Sequence, residues 1–465
     1  MFMTTPCMPS ARAQGFARVL ATFGLIALVI TPAVSAQSAE VSLTLRMLLD
    51  SVRVNHPLIG AATARVRAAR GVRTTAGALG NPVLGYQVDN TPFPGGRAIA
   101  GLDREAMTTA TFPLEPFFQR GSKVTRANAD VRAAEADGIA TRQRVALDAS
   151  KAFYRVALGQ VTVATSRDLV AWLDTVVIYN RSRVKEGVAS EGDLIRSELE
   201  HDRAAADETM AEADFAQARG ELAGFLGAPL ASVRVVVTDA PLATTLQAVA
   251  GEEPRALAVA VAGTSGSSSA LTQQAPGARG EVRAARERLA AATAGVSNEQ
   301  RMLIRQLGAT IGMKQTAGST SMIAGISLPI PLFDANRGEV QRASAERDAA
   351  AFELANQERV TSSEVLGAYE AARVLTLRAN LLARGGAESF LSRADEARRI
   401  ALGAYREGAV PLFQVIDAAR TWGDVRLTYY RTLYAQHQSV LALLAAQGSD
   451  LFDPSSTTTA SAPVR

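Results

Sequence analysis

Two stretches, Gly121 to Gly227 and Gly338 to Gly448, each read as a pair of very long helices broken once at glycine, and they constrain the fold more than anything else in the chain. The breaks are Glu186-Gly187-Val188-Ala189 and Glu407-Gly408-Ala409-Val410-Pro411. After the second break, a 3,4,3,4 spacing selects Leu412, Val415, Ala419, Trp422, Arg426, Tyr429, Leu433, Gln436, Val440 and Leu443. All but Arg426 and Gln436 are apolar, so the spacing predicts a helix packed along its whole length against others. From Gly121 to Gly187 a continuous helix would span on the order of 100 Å at about 1.5 Å per residue.

The two stretches are copies of one unit. Val66-Arg67-Ala68-Ala69-Arg70 recurs as Val282-Arg283-Ala284-Ala285-Arg286, and Pro113 recurs as Pro329, both at an offset of 216 residues. Lys185-Glu186-Gly187 matches Arg406-Glu407-Gly408, and Gly227 matches Gly448, both at 221. Helices rich in Ala, Arg and Glu produce chance matches, but chance does not put Gly and Pro punctuation in register.

Small side chains dominate these helices, and aromatic content is only 5%. That composition suits close approach of helix to helix rather than one globular core. The 49 basic and 45 acidic residues alternate along the chain instead of clustering, which argues against a nucleic-acid partner. Residues 1–36 read as a signal peptide: Arg12 and Arg18 flank an apolar run from Val19 to Ile30, and Val34-Ser35-Ala36 is a small-residue cleavage site. Cys7, the only cysteine, lies inside that segment, so the mature chain would have no disulfide and no thiolate ligand. No later run of about 18 apolar residues exists for a membrane helix, so a membrane span has to be made of strands.

Four short segments fit that need. In Val83 to Asp89, Leu84, Tyr86 and Val88 alternate with Gly85, Gln87 and Asp89. A second strand is expected over about 105–114, a third over 306–315 and a fourth over 320–330. In the last two, Ile311, Met313, Met322 and Ile326 fall on the apolar faces, which reads as lipid contact rather than as a soft-metal relay of Met302, Met313 and Met322. The domain reading is then a first repeat over 37–227 with its helical hairpin at 119–226, a connector over 228–280, a second repeat over 281–448 with its hairpin at 337–447, and a disordered tail over 449–465. Within the connector, 263–280 is Gly/Ser-rich and reads as a flexible insert. Four strands cannot close a barrel, and open edges are not tolerated in lipid, so several copies must pool theirs.

From about Leu43 to Gly448 this layout resembles the outer-membrane factors of tripartite efflux pumps, the TolC-like proteins. The turn Leu328-Pro329-Ile330-Pro331-Leu332-Phe333-Asp334-Ala335-Asn336-Arg337-Gly338 resembles their heavy-metal branch, the CzcC- and CusC-like components. The resemblance implies a mainly α chain with four transmembrane β-strands, internally duplicated, in a homotrimer whose twelve-strand β-barrel continues into a twelve-helix α-barrel. It implies a passive conduit set in outer-membrane lipid and reaching into the periplasm of a Gram-negative cell, docked on a periplasmic adaptor (membrane fusion) protein and an inner-membrane RND-type pump. The expected cargo is divalent metal cations; the same architecture would serve drug efflux or type I protein secretion, and a periplasmic coiled-coil scaffold without a pore would explain the helices but leave the strands idle.

The same resemblance points to the helix breaks. The family pattern is Tyr-x-x-Gly, an Asp six residues after the Gly, and another Asp three further on. Tyr405 and Gly408 match, Asp417 fits the last position, and Gln414 stands at the middle one, a departure that puts a full double-carboxylate ring in doubt. Asp193 stands six residues after Gly187 in the first repeat. The implied pore gate is therefore Asp193, Tyr405, Gln414 and Asp417, with the two carboxylates as a negative collar or, equally, as solvated helix residues. Gly187, Val188, Gly408 and Val410 are the implied adaptor-docking tips. No cofactor, metal site or catalytic group is expected, because His56, His201 and His437 are scattered and none sits in a metal-binding spacing.

Overall fold

The computed structural model describes residues 40–92, 94, 96–97, 101–114, 116–227, 234–237, 275–302, 307–328, 335–382 and 387–452. In chain order the elements are β1 (Glu40–Leu43), α1 (Leu45–Asn55), α2 (Pro57–Gly77), β2 (Val83–Asp89), β3 (Glu105–Pro113), α3 (Pro116–Lys185), α4 (Glu191–Leu226) and β4 (Arg234–Val237). The second half contributes α5 (Gly280–Arg301), β5 (Gly308–Thr316), β6 (Ser319–Ser327), α6 (Arg337–Leu382), α7 (Ala387–Arg406) and α8 (Leu412–Ala446). The chain is thus mainly helical, and among the described residues no helix is long and apolar enough to cross a membrane.

Helix α3, 70 residues long, is the spine. Alanine is its commonest buried residue, including Ala129, Ala133, Ala136 and Ala140, spaced by three or four, and α2, α4 and α5 lie along it. The tightest approach is at the start of α5. A Cβ added to Gly280 would lie 2.7 Å from the Ala140 nitrogen and 2.9 Å from the Ala136 oxygen. Gly280→Ala is therefore expected to lower stability by roughly 1–3 kcal/mol, because backbone on a rigid helix has to move. Thermal melting of the detergent-solubilised protein checks this, with Gly295→Ala as the mild control, since its nearest neighbour is the flexible Arg126 side chain at 3.5 Å.

The largest core lies where α1, the middle of α3, the end of α4 and the later half of α8 converge. Leu48, Val52, Phe153, Tyr154, Leu222 and Tyr429 are buried there. Of the ten α8 seam positions, Leu412, Val415, Ala419, Trp422, Tyr429, Val440 and Leu443 are buried, and Arg426, Leu433 and Gln436 are half-buried. A two-stranded parallel pair, β1 with β4, joins the segment just before α1 to the region between the repeats, a pairing that no local pattern in the sequence indicates.

Four strands form one antiparallel sheet in the order β2-β3-β5-β6, so the repeats meet at the β3–β5 pair. The register carries the alternation across all four strands. Leu84, Ala110, Ile311 and Ala324 lie in one row, and Tyr86, Thr108, Met313 and Met322 in the next. This face is apolar, with Tyr86 69% and Met322 75% exposed. The opposite face is polar: Lys314 pairs with Glu105 at 2.5 Å, and the Thr111 and Thr310 hydroxyls are 3.0 Å apart. Ala317 and Gly318, both at positive φ, make the tight β5–β6 turn. Neither β2 nor β6 has a second strand partner among the described residues.

Several expected boundaries are corrected. Helix α3 starts at Pro116 rather than 119, since proline is favoured in a first turn. Strand β3 ends at Pro113, β5 runs from Gly308 to Thr316, and β6 runs from Ser319 to Ser327. The first arm of the second hairpin is described as two helices, α6 and α7, with 383–386 outside the described residues. Part of the expected flexible insert is ordered: 275–278 is helical, and Ala275 is buried against Val365 and Ala446. The tail is not disordered over 449–452, because Leu451 and Phe452 pack on the main core and Asp450 pairs with Arg142 at 3.2 Å. The signal peptide, most of the connector, residues 329–334 of the turn and residues 453–465 lie outside the described residues.

Candidate functional site

Each helix break is built the same way. The Val188 amide bonds the Arg183 carbonyl and the Gly187 amide bonds the Val184 carbonyl; in the second repeat, Ala409 bonds Ala404 and Gly408 bonds Tyr405. This 6→1 and 5→2 pairing needs a left-handed residue, and Gly187 and Gly408 supply it at φ 73° and 78°. No atom lies within 4 Å of a Cβ placed on either glycine, so conformation rather than crowding selects them.

The restarts differ, and the difference explains the departure at Gln414. Ser190 caps α4: its hydroxyl accepts from the Asp193 amide at 3.1 Å and donates to the Asp193 carboxylate at 2.9 Å. At the offset of 221, Ser190 and Asp193 correspond to Pro411 and Gln414, and Pro411 makes no side-chain cap. Asp193 is thus half-buried and tied to its own helix start, whereas Asp417 and Gln414 are exposed. Arg196, the counterpart of Asp417 in the first repeat, lies 5.6 Å from the Phe413 ring centroid.

Tyr405 belongs to a different constellation. It is 4% exposed and packs with Val176, Leu412, Val415 and Ile416 in a small core at the breaks. Its hydroxyl donates to Asn180 Oδ1 on α3 at 2.6 Å. Tyr179 stands edge-on to it at 5.8 Å and donates its own hydroxyl to the Arg406 carbonyl at 3.3 Å. The Arg183 guanidinium covers both rings, 5.3 Å from Tyr405 and 5.6 Å from Tyr179. Burial raises the Tyr405 pKa, with Arg183 opposing, so the hydroxyl stays a donor at any neutral pH. Asn180 Nδ2 is buried with no acceptor among the described residues.

The sequence reading found Tyr405 and missed Asn180, Tyr179 and Arg183. One signal was available: Leu173 and Val176 on α3 set a seam whose next position is Asn180, a polar residue where an apolar one is expected. The four tip residues also separate. Val188 is 60% exposed, whereas Val410 packs on the core beneath the break. Among the described residues no group of three His, Cys, Asp or Glu could hold a metal ion.

The profile of the family described as outer membrane efflux protein matches residues 48–228 and 271–449. Among solved structures, the chain is similar to the outer-membrane channel OprN, with 18% identity, a TM-score of 0.70, and coverage of 88% of this chain and 90% of that one. VceC, an outer membrane protein of Vibrio cholerae, aligns with 18% identity and a TM-score of 0.68 over 88% of this chain and 96% of that one. CusC, a protein that forms a transmembrane channel, aligns with 18% identity and a TM-score of 0.67 over 87% of this chain and 92% of that one. No curated protein matches the chain.

Proposed function

The chain belongs to the outer membrane efflux protein family, and from that premise we propose that three copies pool their strands into one barrel and their helices into one tunnel, forming the exit duct of a tripartite efflux pump. Family membership makes the protein a non-enzymatic efflux channel component of the outer membrane with a TolC-like fold. The observation that carries the finer reading is the sheet: one apolar face, one polar face and two edges without a strand partner among the described residues. Such a sheet is unstable in lipid until its edges find strands in sister chains, and three copies supply twelve. The helical hairpins then extend into the periplasm, where the breaks meet an adaptor, with the exposed Val188 as the leading contact. Energy comes from an inner-membrane RND-type pump, and divalent metal cations are the cargo, a choice resting on the resemblance of the turn at 328–338.

The gate in this reading is the ring of helix breaks. Tyr405 and Asn180 hold α7 against α3, and Asp417, with Arg420 beside it, supplies the exposed carboxylate of the narrow end. Asp417→Ala is expected to lower cation selectivity, seen as a shift in reversal potential across a salt gradient. Asp193→Ala is expected to weaken the α4 start by roughly 0.5–1 kcal/mol instead, since its charge serves the helix terminus. Equal selectivity losses from both would restore the two-carboxylate collar.

Deleting the gene and measuring growth across divalent metals and drugs tests the cargo. Heightened sensitivity to divalent cations alone supports the metal reading; sensitivity confined to drugs overturns it. A purified protein that remains monomeric without detergent and opens no ion path in a planar bilayer would sink the trimeric duct.

A further inference from the structure

Arg426 is the one charged residue of the α8 seam, and a cluster about it forms a second bridge that the gate described above does not use. Arg398 on α7 lies seven residues before Tyr405, two turns along the same helix face, among Leu391, Ala394 and Leu402. Its guanidinium carbon is 3.8 Å from the ring centroid of Trp422 and 5.6 Å from that of Trp172. Arg426 lies 5.0 Å from Trp422. Both tryptophans of the chain therefore contact Arg398, and Trp422 is fully buried with its Nε1 donating to the Asp395 carboxylate.

This arrangement is costly. Arg398 Nη1 and Arg426 Nε are buried without an acceptor among the described residues. Burial lowers the Arg398 pKa; Asp395 and Asp168 oppose that, and the neighbouring Arg426 adds to it. An apolar pair in the same seam would leave no buried guanidinium nitrogen without an acceptor. Helix α7 is also lightly seated. Among its described side chains only Ala394 and Tyr405 are buried, and it reaches α3 through discrete bridges: Tyr405 to Asn180, the Arg406 carbonyl to Tyr179, and Arg398 to Trp172.

We propose that Arg398, clamped between Trp172 and Trp422, is a positioning residue that holds α7 in its closed seat, and that Arg426 weakens this clamp through like-charge repulsion so that the seat can be left. The inference rests on the channel reading above. A helix held by a few side-chain bridges, one of them internally strained, is an element with two arrangements whose balance small changes shift.

The test uses the full chain reconstituted in planar bilayers, where wild-type conductance examines the channel reading by itself. Arg398→Met keeps chain length and loses the cation–π clamp; the conducting fraction is expected to rise about five- to tenfold. Arg426→Met removes the repulsion and is expected to lower it about two- to fivefold. Opposite signs on removing either of two like charges are the signature. If the arginines are only filler, both substitutions tighten the seam and move conductance the same way, and that result, or no change in either, overturns the proposal. A readout free of conduction is acrylamide quenching of Trp422 in a Trp172→Phe background, expected to rise with Arg398→Met and fall with Arg426→Met. Quenching that does not respond also overturns the clamp, whereas a silent bilayer with responsive quenching overturns only the channel reading.

Discussion

Met322→Arg is expected to cost about 2–4 kcal/mol per chain, while Ile323→Arg, one residue on, is expected to be nearly neutral. Met322 sits in mid-strand, opposite Met313, on the apolar face, and is 75% exposed in the single chain. In the trimeric barrel proposed above, that exposure would be to hydrocarbon, where a guanidinium has no solvent and no partner. Ile323 points to the other face, in register with Gly312, on the side that carries Glu105 and Lys314. In the same proposed barrel a charge there would meet water in the lumen. Heat-modifiable migration on gels and the yield in outer-membrane fractions measure the difference. Equal loss from both substitutions would mean that the polar face is not a lumen, and equal tolerance would mean that the apolar face does not meet lipid.

Phe153→Ala is expected to destabilise the protein by about 3–5 kcal/mol. Phe153 is 2% exposed in the core shared by α1, α3, α4 and α8, edge-on to Tyr154 at 5.6 Å. Along α3 and α4 alanine is the commonest buried residue and contributes little per contact, so the large side chains of this core carry a disproportionate share. Because single domains are stable by only about 5–15 kcal/mol, the loss should appear as a large drop in melting temperature followed by circular dichroism. A shift no larger than that of an exposed control such as Phe352→Ala, a residue 77% exposed, would show that the core is not where the hairpins are fastened.

Much of the candidate site was legible because it is local. Gly187 and Gly408 stand out as breaks in long periodic runs, and the left-handed turn they make depends only on neighbouring residues. Tyr405 was legible through its spacing from Gly408. Its partner was not: Asn180 lies 225 residues away, and nothing in either helix's own pattern says which residue of the other faces it. The different roles of Asp193 and Asp417 were also hidden, because both are carboxylates near a helix start and only the Ser190 hydroxyl separates them. The expected disorder of 449–452 failed for a related reason: polar and small residues suggest a tail, yet Leu451 and Phe452 reach a core formed by elements far away in the chain.

By itself the sequence determined the doubled unit, its long α-hairpins, its two-faced strands and the glycines that end each arm, since periodicity and backbone freedom act over a few residues. Only the tertiary structure decided which side chains bridge one arm to another: Tyr405 with Asn180 and Arg183, Arg398 with both tryptophans, and β3 with β5 at the meeting of the repeats. Those pairings depend on the rotation and stagger of whole helices and on strand register, quantities set by the sum of many small contacts and carried by no single stretch of chain.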